Sequence, residues 1–451
     1  MNEGPGYQAG DFEIHPGIAA EVGYDSNYLI RSDKTGPASG TLQNGAPLYP
    51  PVDTGLLRVT PSISLTSVPS AKHTEGAAPA APPPVTFSAG ASGTYREFFN
   101  SALQNQRNMS AQANATLAIL PGRAWGGAIN AAYTRTIQPT VFGSPDISYN
   151  NDVVVGGVDL AAQPGAGTLD WHFGYTFTGT FFEDSGGKPY NNLLNTFYTR
   201  GRWRFRPRTA LLYDGSIAAR SFSDATNAEF VQHSGLPTRA RLGLEGLVTP
   251  RFSILAMAGY GGTFTEKNTN ADTSVRQYDS VIGQLELRFY PGGGGGTPGA
   301  TDTPSKTSLL VSAIALGYNR DFIASYLNGY VGIDRGYLRA EYFFAGRFLV
   351  TLEGGVGALE HPTQFSQPQA GGVPTQLTSG SYTDVGANAT VFAEYRVRES
   401  LGINATFNYN ENFSNTTIPF TNTAGGIDAS GKYYDLNYRR FQAFIGVRWF
   451  M

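Results

Sequence analysis

The sequence predicts an all-β protein: a transmembrane antiparallel up-and-down β-barrel of 18 strands, with no plug domain. Three observations carry that expectation. Apolar and polar residues alternate with period two in runs of about ten residues or more, which is a strand pattern that no helical face fits. Charged residues make up only 15% of the chain, against about 25% in soluble domains. No stretch approaches the ~18 consecutive apolar residues of a transmembrane helix.

The bulk numbers agree. The 451 residues include 25 Tyr, 28 Phe and 56 Gly, with a formal net charge of -3. The absence of cysteine excludes a disulfide framework and thiolate chemistry. A chain this long usually divides into domains, but no composition shift marks a boundary, so residues 1–451 read as one barrel. The opening "MNEGPGYQAG" (1–10) has neither the basic start nor the apolar stretch of a signal peptide. An exported form would therefore be the mature one, with 1–10 as a periplasmic segment.

In chain order the alternation predicts strands at 11–25, 55–67, 85–98, 108–119, 124–136, 152–162, 168–182, 193–206 and 209–222. The second half follows with 237–248, 252–266, 276–290, 307–320, 329–344, 347–359, 384–398, 400–413 and 436–451. In "VTFSAGASGTYR", Val85, Phe87, Ala89, Ala91 and Tyr95 oppose Thr86, Ser88, Ser92, Thr94 and Arg96. "LDWHFGYTFTGTF" sets Leu169, Trp171, Phe173, Tyr175, Phe177 and Phe181 against Asp170, His172, Thr176, Thr178 and Thr180. Sandwich strands average about five or six residues. These runs match instead the ~9–11 residues of a tilted strand crossing a bilayer, where only a closed barrel satisfies every backbone group. "LPGRA", "QPGAG", "RPRT", "TPR", "AGR" and "RES" are tight turns expected on the periplasmic side. The long polar segments 26–54, 137–151, 360–383 and 414–435 are expected outside. Residues 68–84 and 291–306, rich in Pro and Gly, read as flexible periplasmic insertions.

The main chemical feature is "YTRGRWRFRPR". If Phe197, Thr199, Gly201, Trp203 and Phe205 face lipid, then Arg200, Arg202, Arg204 and Arg206 share the lumen side. The same alternation adds Arg239, Arg241, Arg288, Arg335, Arg339, Arg396, Arg398, Arg440 and Arg448, and predicts a basic inner mouth. The six lysines fall in proposed loops, turns or a strand edge, so arginine is the wall cation. Its planar fork suits carboxylate or phosphate. Glu245, Glu286, Glu341, Glu353 and Glu394 could pair with these arginines and merely stiffen the wall. Four like charges on one strand repel unless partnered, which points to an anionic solute or polymer.

The five histidines are scattered, without metal-ligand spacing, so neither metal nor cofactor is expected. Asp170 and His172 share a face but read as polar wall contacts, and the chain is not expected to be an enzyme. Aromatic residues lie opposite the arginines, as a lipid belt rather than a nucleic-acid surface, with Trp171, Trp203 and Trp449 as interface anchors.

The first strand carries Pro16 and leads into Tyr24-Asp25-Ser26-Asn27. This opening resembles the β-barrel porin 2 group, and the strand count resembles the Wzp-type barrels of polysaccharide export. The resemblance implies export of a secreted or capsular polysaccharide across the bacterial outer membrane, with a periplasmic polysaccharide-export protein as partner. The residues themselves leave open a passive anion-selective or general diffusion porin. The final "FQAFIGVRWFM" reads as the closing strand: Phe441, Ala443, Ile445, Val447, Trp449 and Met451 face lipid, and the strand pairs with the first.

Overall fold

In the computed structural model, residues 6–33, 50–67, 83–137, 150–223, 233–265, 277–291, 312–325, 329–344, 347–362, 381–414, 417–419 and 433–451 are described. Most of the expected long loops and of both Pro/Gly-rich insertions lies outside these residues. The wall is built from β1 (Phe12–Asp25), β2 (Thr54–Thr66), β3 (Val85–Phe98), β4 (Asn108–Ile119), β5 (Trp125–Thr136) and β6 (Asn151–Ala162). It continues through β7 (Leu169–Phe182), β8 (Asn192–Arg206), β9 (Thr209–Phe222), β10 (Thr238–Thr249), β11 (Phe252–Gly262) and β12 (Asp279–Phe289). The last third is β13 (Ala313–Ser325), β14 (Gly329–Phe344), β15 (Phe348–His361), β16 (Tyr382–Arg398), β17 (Leu401–Phe413) and β18 (Tyr438–Phe450). Each strand pairs antiparallel with its sequence neighbours. β1 meets β18 from Gly17↔Phe450 to Asp25↔Gln442, which closes the sheet. A short strand, Tyr7–Ala9, pairs with the start of β1.

Alternation fixes the two faces of the wall. Leu242, Leu316 and Ile445 are 59%, 59% and 58% exposed on the exterior, and most strands carry such residues. So much apolar area in contact with water would cost about 25 cal/mol per Å²; acyl chains remove that cost. The closing strand has the expected register, with Phe441, Ile445, Val447, Trp449 and Met451 outward. Phe450 is buried on the lumen side beneath the Arg396 guanidinium, 4.6 Å from its ring centre.

The exterior aromatics separate by type. All four tryptophans, Trp125, Trp171, Trp203 and Trp449, sit outward at the short-turn end of their strands. At the opposite end, Tyr24, Tyr95, Tyr133, Tyr260, Tyr318 and Tyr409 face outward. Their hydroxyls donate to Asp53, Glu97, Asp152, Asp279, Asp334 and Glu411 respectively. Indole and phenol rings both favour the membrane interface, and the carboxylates mark where the exterior becomes aqueous.

One strand departs from its expected position. The segment expected at 307–320 forms β13 at Ala313–Ser325, five residues further along, and residues 307–311 lie outside the described set. The strand also bends near its far end. β13 pairs with β12 only from Ile314↔Phe289 to Arg320↔Gly283. Beyond Arg320 it remains paired with β14 as far as Ser325↔Gly329. The β13–β14 hairpin therefore leaves the wall and turns into the lumen. There Phe322 packs with Tyr278, Ile282 and Tyr330 in a buried cluster.

Candidate functional site

The lumen is the candidate site, and β8 supplies its arginine row. Arg200, Arg202, Arg204 and Arg206 alternate with exterior Phe197, Trp203 and Phe205, as expected from the sequence. The β7–β8 register sets Asp170 opposite Arg202 and His172 opposite Arg200. Asp170 lies 3.4 Å from Arg202 and 3.1 Å from His172 Nε2. His172 Nδ1 is 2.6 Å from Asp159, which also accepts from the Tyr198 hydroxyl at 2.8 Å. Both imidazole nitrogens are thus taken by carboxylates, leaving none to accept a nucleophile's proton. On β9, Asp214 accepts two bonds from Arg241, at 3.0 and 2.6 Å, and so is not shared with Arg200 across the ladder.

The other arginines fall into separate groups. Arg288 lies against Glu286 and 3.6 Å from Glu245, and the Tyr337 hydroxyl donates to Glu286 at 2.5 Å. Arg335 and Arg339 share Glu353 at 3.3 and 3.4 Å, and Arg335 also donates to Asn388. Glu394, nearly buried, bridges Arg396 at 3.3 Å and Arg448 at 2.9 Å. Arg440 grips the buried Asp25, and Arg239 lies 2.9 Å from Asp321. Arg200, Arg204, Arg206 and Arg398 have no carboxylate partner among the described residues, and Nε of Arg204 is buried without a hydrogen bond. Wall pairing by Glu245, Glu286, Glu353 and Glu394 occurs as the sequence suggested; Glu341 forms none of these bridges.

The expectation of a basic inner mouth needs correction. Arg239 and Arg440 stand at the long-loop end, because β10 and β18 begin there. Arg241 and Arg335 lie further in along their strands. Only Arg202–Arg206, Arg288, Arg396, Arg398 and Arg448 gather towards the short turns. The basic surface extends along the lumen rather than ringing one end.

Below Arg58 and Arg96, the lumen face of β2–β5 carries uncharged polar groups. Thr60, Ser62, Ser92, Thr94, Gln112 and Asn114 line adjoining recesses of about 310 and 290 Å³ there. Thr60 and Thr94 hydroxyls meet at 2.9 Å, and Gln112 donates to Ser92 at 2.9 Å. The lumen therefore offers hydroxyl and amide groups on one arc and guanidinium groups on others.

Two segments narrow the outer mouth. The Tyr24-Asp25-Ser26-Asn27 sequence turns the chain inward. Asp25 accepts from Arg440, from Gln442 and from the Asn27 amide, while the Asn27 side chain donates to the carbonyls of Arg31 and Arg439. Tyr28 and Leu29 then pack on Leu56, Phe98, Leu103 and Phe444. On another arc, Asp321 of the bent hairpin accepts from Arg239. The same guanidinium donates to the Phe322 carbonyl and lies 4.0 Å from the Phe322 ring centre. Gly261 makes room: a Cβ there would stand 2.8 Å from both Ile282 and the Phe322 ring. Sequence reasoning missed this hairpin because it ended the strand at 320, before Asp321 and Phe322. It also passed over the lumen residues Arg58 and Arg96, each a single arginine on its own strand.

No family model and no curated protein matches this chain. Among solved structures, OccAB4 of Acinetobacter baumannii is 11% identical, with 97% of this chain and 98% of that one covered and a TM-score of 0.43. OpdK of Pseudomonas aeruginosa, solved with vanillate, is 11% identical over 97% and 99%, with a TM-score of 0.43. The FrpB iron transporter of Neisseria meningitidis is 8% identical over 99% and 82%, with a TM-score of 0.46. These likenesses are of barrel architecture alone.

Proposed function

We propose that this chain is an outer-membrane channel that exports an acidic polysaccharide, taking the polymer from a periplasmic export protein at its short-turn end. One observation carries the reading: Arg200, Arg204 and Arg206 face the lumen without carboxylate partners among the described residues, while the β2–β5 arc below Arg58 and Arg96 presents uncharged hydroxyl and amide groups. Unneutralised guanidinium groups on one wall repel each other, and an anionic ligand relieves that repulsion. Hydroxyl and amide side chains on the β2–β5 arc both donate and accept, which suits the sugar portion of such a polymer. The apolar exterior, the two aromatic girdles and the closed sheet support residence in a bacterial outer membrane.

A second reading, passive diffusion of small anions, is favoured by the narrowing of the outer mouth by the Tyr28 segment and the Phe322 hairpin. Deleting the gene separates the two. Loss of surface polysaccharide with unchanged small-anion uptake supports export. Normal surface polysaccharide, together with anion-selective current from the purified barrel in planar bilayers, overturns export and leaves diffusion.

A further inference from the structure

We propose that Arg96 is a carboxylate-binding station in the outer half of the lumen, built to hold a sugar acid. The inference deepens the channel reading and rests on it. Arg96 lies on the lumen face of β3, two residues below the buried Phe98. Its Nη1 is buried and has no hydrogen-bond partner, and no carboxylate pairs with it among the described residues. Two other arginines act on it electrostatically, Arg58 and Arg440. Each of those has its own acid: Arg58 lies 2.8 Å from Glu21, and Arg440 is held by Asp25. Two acids thus serve three guanidinium groups, and Arg96 is the surplus cation.

Its surroundings are suited to a ligand. Arg96 is part of the recess of about 290 Å³ whose other walls include Thr60, Ser92, Thr94, Ser110 and Gln112. The Thr60–Thr94 and Gln112–Ser92 bonds hold these groups in place, yet every hydroxyl retains capacity to donate or accept. On the outer side stands the apolar cluster of Tyr28, Phe98 and Leu103. A buried donor left unmet costs about 1–3 kcal/mol, so the position stores free energy that an incoming acceptor recovers. A carboxylate matches the guanidinium fork with two parallel bonds, and the hydroxyls of a sugar acid match the walls.

The ligand can be a free sugar acid or an acidic unit within a chain, and the test separates these. Calorimetric titration of the barrel in nanodiscs uses galacturonate, oligogalacturonate, inorganic phosphate and glucose as probes. Galacturonate should bind, and Arg96→Gln should weaken it at least about tenfold, the loss of one charge-assisted pair. Arg96→Lys, which keeps the charge without the fork, should recover part of the affinity. Arg251→Gln, in the short turn before β11, should leave it unchanged. Tighter binding of the oligomer than of the monomer identifies the chain as the ligand, and equal binding identifies the free acid. Binding of glucose as tight as galacturonate, or equal galacturonate affinity in wild type and Arg96→Gln, overturns the proposal, as does phosphate binding tighter than either acid. Should Arg96→Gln fail to fold, Thr94→Val and Gln112→Leu probe the same recess. Galacturonate binding that persists in a barrel without anion-selective current would refute the channel reading while leaving the station in place.

Discussion

Arg239 holds the inward hairpin by three contacts that one substitution removes. Its Nε donates to Asp321 at 2.9 Å, its Nη2 donates to the Phe322 carbonyl, and its guanidinium lies 4.0 Å from the Phe322 ring centre. The ion pair is about three-quarters buried on both sides. A charge-assisted hydrogen bond in such a setting contributes about 1.5–3 kcal/mol, and a cation–π contact about 0.5–1 kcal/mol. Arg239→Ala should therefore weaken docking by about 2–4 kcal/mol, shifting the docked-to-released ratio by roughly 30- to 700-fold. The apolar cluster of Tyr278, Ile282, Phe322 and Tyr330 remains, so the hairpin should leave transiently rather than permanently. In single-channel recordings Arg239→Ala should show brief openings to a higher conductance that the wild type lacks. Asp321→Asn should show the same behaviour, more weakly. Unaltered traces in both variants would show that the hairpin does not limit the pore.

Gly261→Leu should displace the same hairpin by collision, since its Cβ alone would lie 2.8 Å from Phe322, and recordings should show a stably wider pore. Reversing the row with Arg202→Glu, Arg204→Glu and Arg206→Glu should move ion selectivity from anions towards cations, measured as the reversal potential across a salt gradient; an unmoved potential would remove these residues from the conduction path. On the exterior, Leu244→Arg places a charge in the lipid band and should destabilise the barrel by about 2–4 kcal/mol in denaturant unfolding. The lumen-facing Met257→Arg should cost much less, and equal losses would contradict the assigned faces. Outside the membrane, Arg135 holds the Glu183 carboxyl below its ordinary range through a bidentate pair at 2.5 and 2.9 Å. A depressed folded-state value means that this stabilisation is present above the ordinary carboxylate pKa and is lost as pH falls through the folded value. Glu183→Gln should flatten that acid limb of a stability-against-pH curve by lowering stability at neutral pH while leaving it nearly unchanged at acid pH.

Most of the wall was legible because a strand in lipid has little freedom. A residue such as Phe197 or Ile445 must face acyl chains, so its neighbours must face the lumen, and one correct assignment fixes a whole strand. The closing register of "FQAFIGVRWFM" followed from the same rule. The β13–β14 bend was not legible, because Asp321 and Phe322 continue the alternation and only their tertiary partners on β10 and β11 reveal the inward turn. The arginine row on β8 stood out because four charges share one strand. Its division from the paired groups around Glu353 and Glu394 depends on cross-strand register, which no single strand's sequence contains. Arg96 illustrates the converse: the alternation puts it on the polar face, but its importance comes from acids already engaged by Arg58 and Arg440 on other strands.

Turning the β13–β14 hairpin inward also affects the wall it leaves. β12 and β13 share seven paired positions, the fewest between neighbouring barrel strands among the described residues. Above them the β12 edge is met by the Arg320 side chain, which donates to the Val281 carbonyl at 3.1 Å and to the Ser280 hydroxyl at 3.3 Å. The backbone ladder is therefore interrupted on one side of the cylinder, where side chains take its place: Arg320 at the β12 edge and the buried cluster of Tyr278, Ile282, Phe322 and Tyr330 on the lumen side. Amide exchange should begin at this shortened ladder, ahead of the fully paired strands around it.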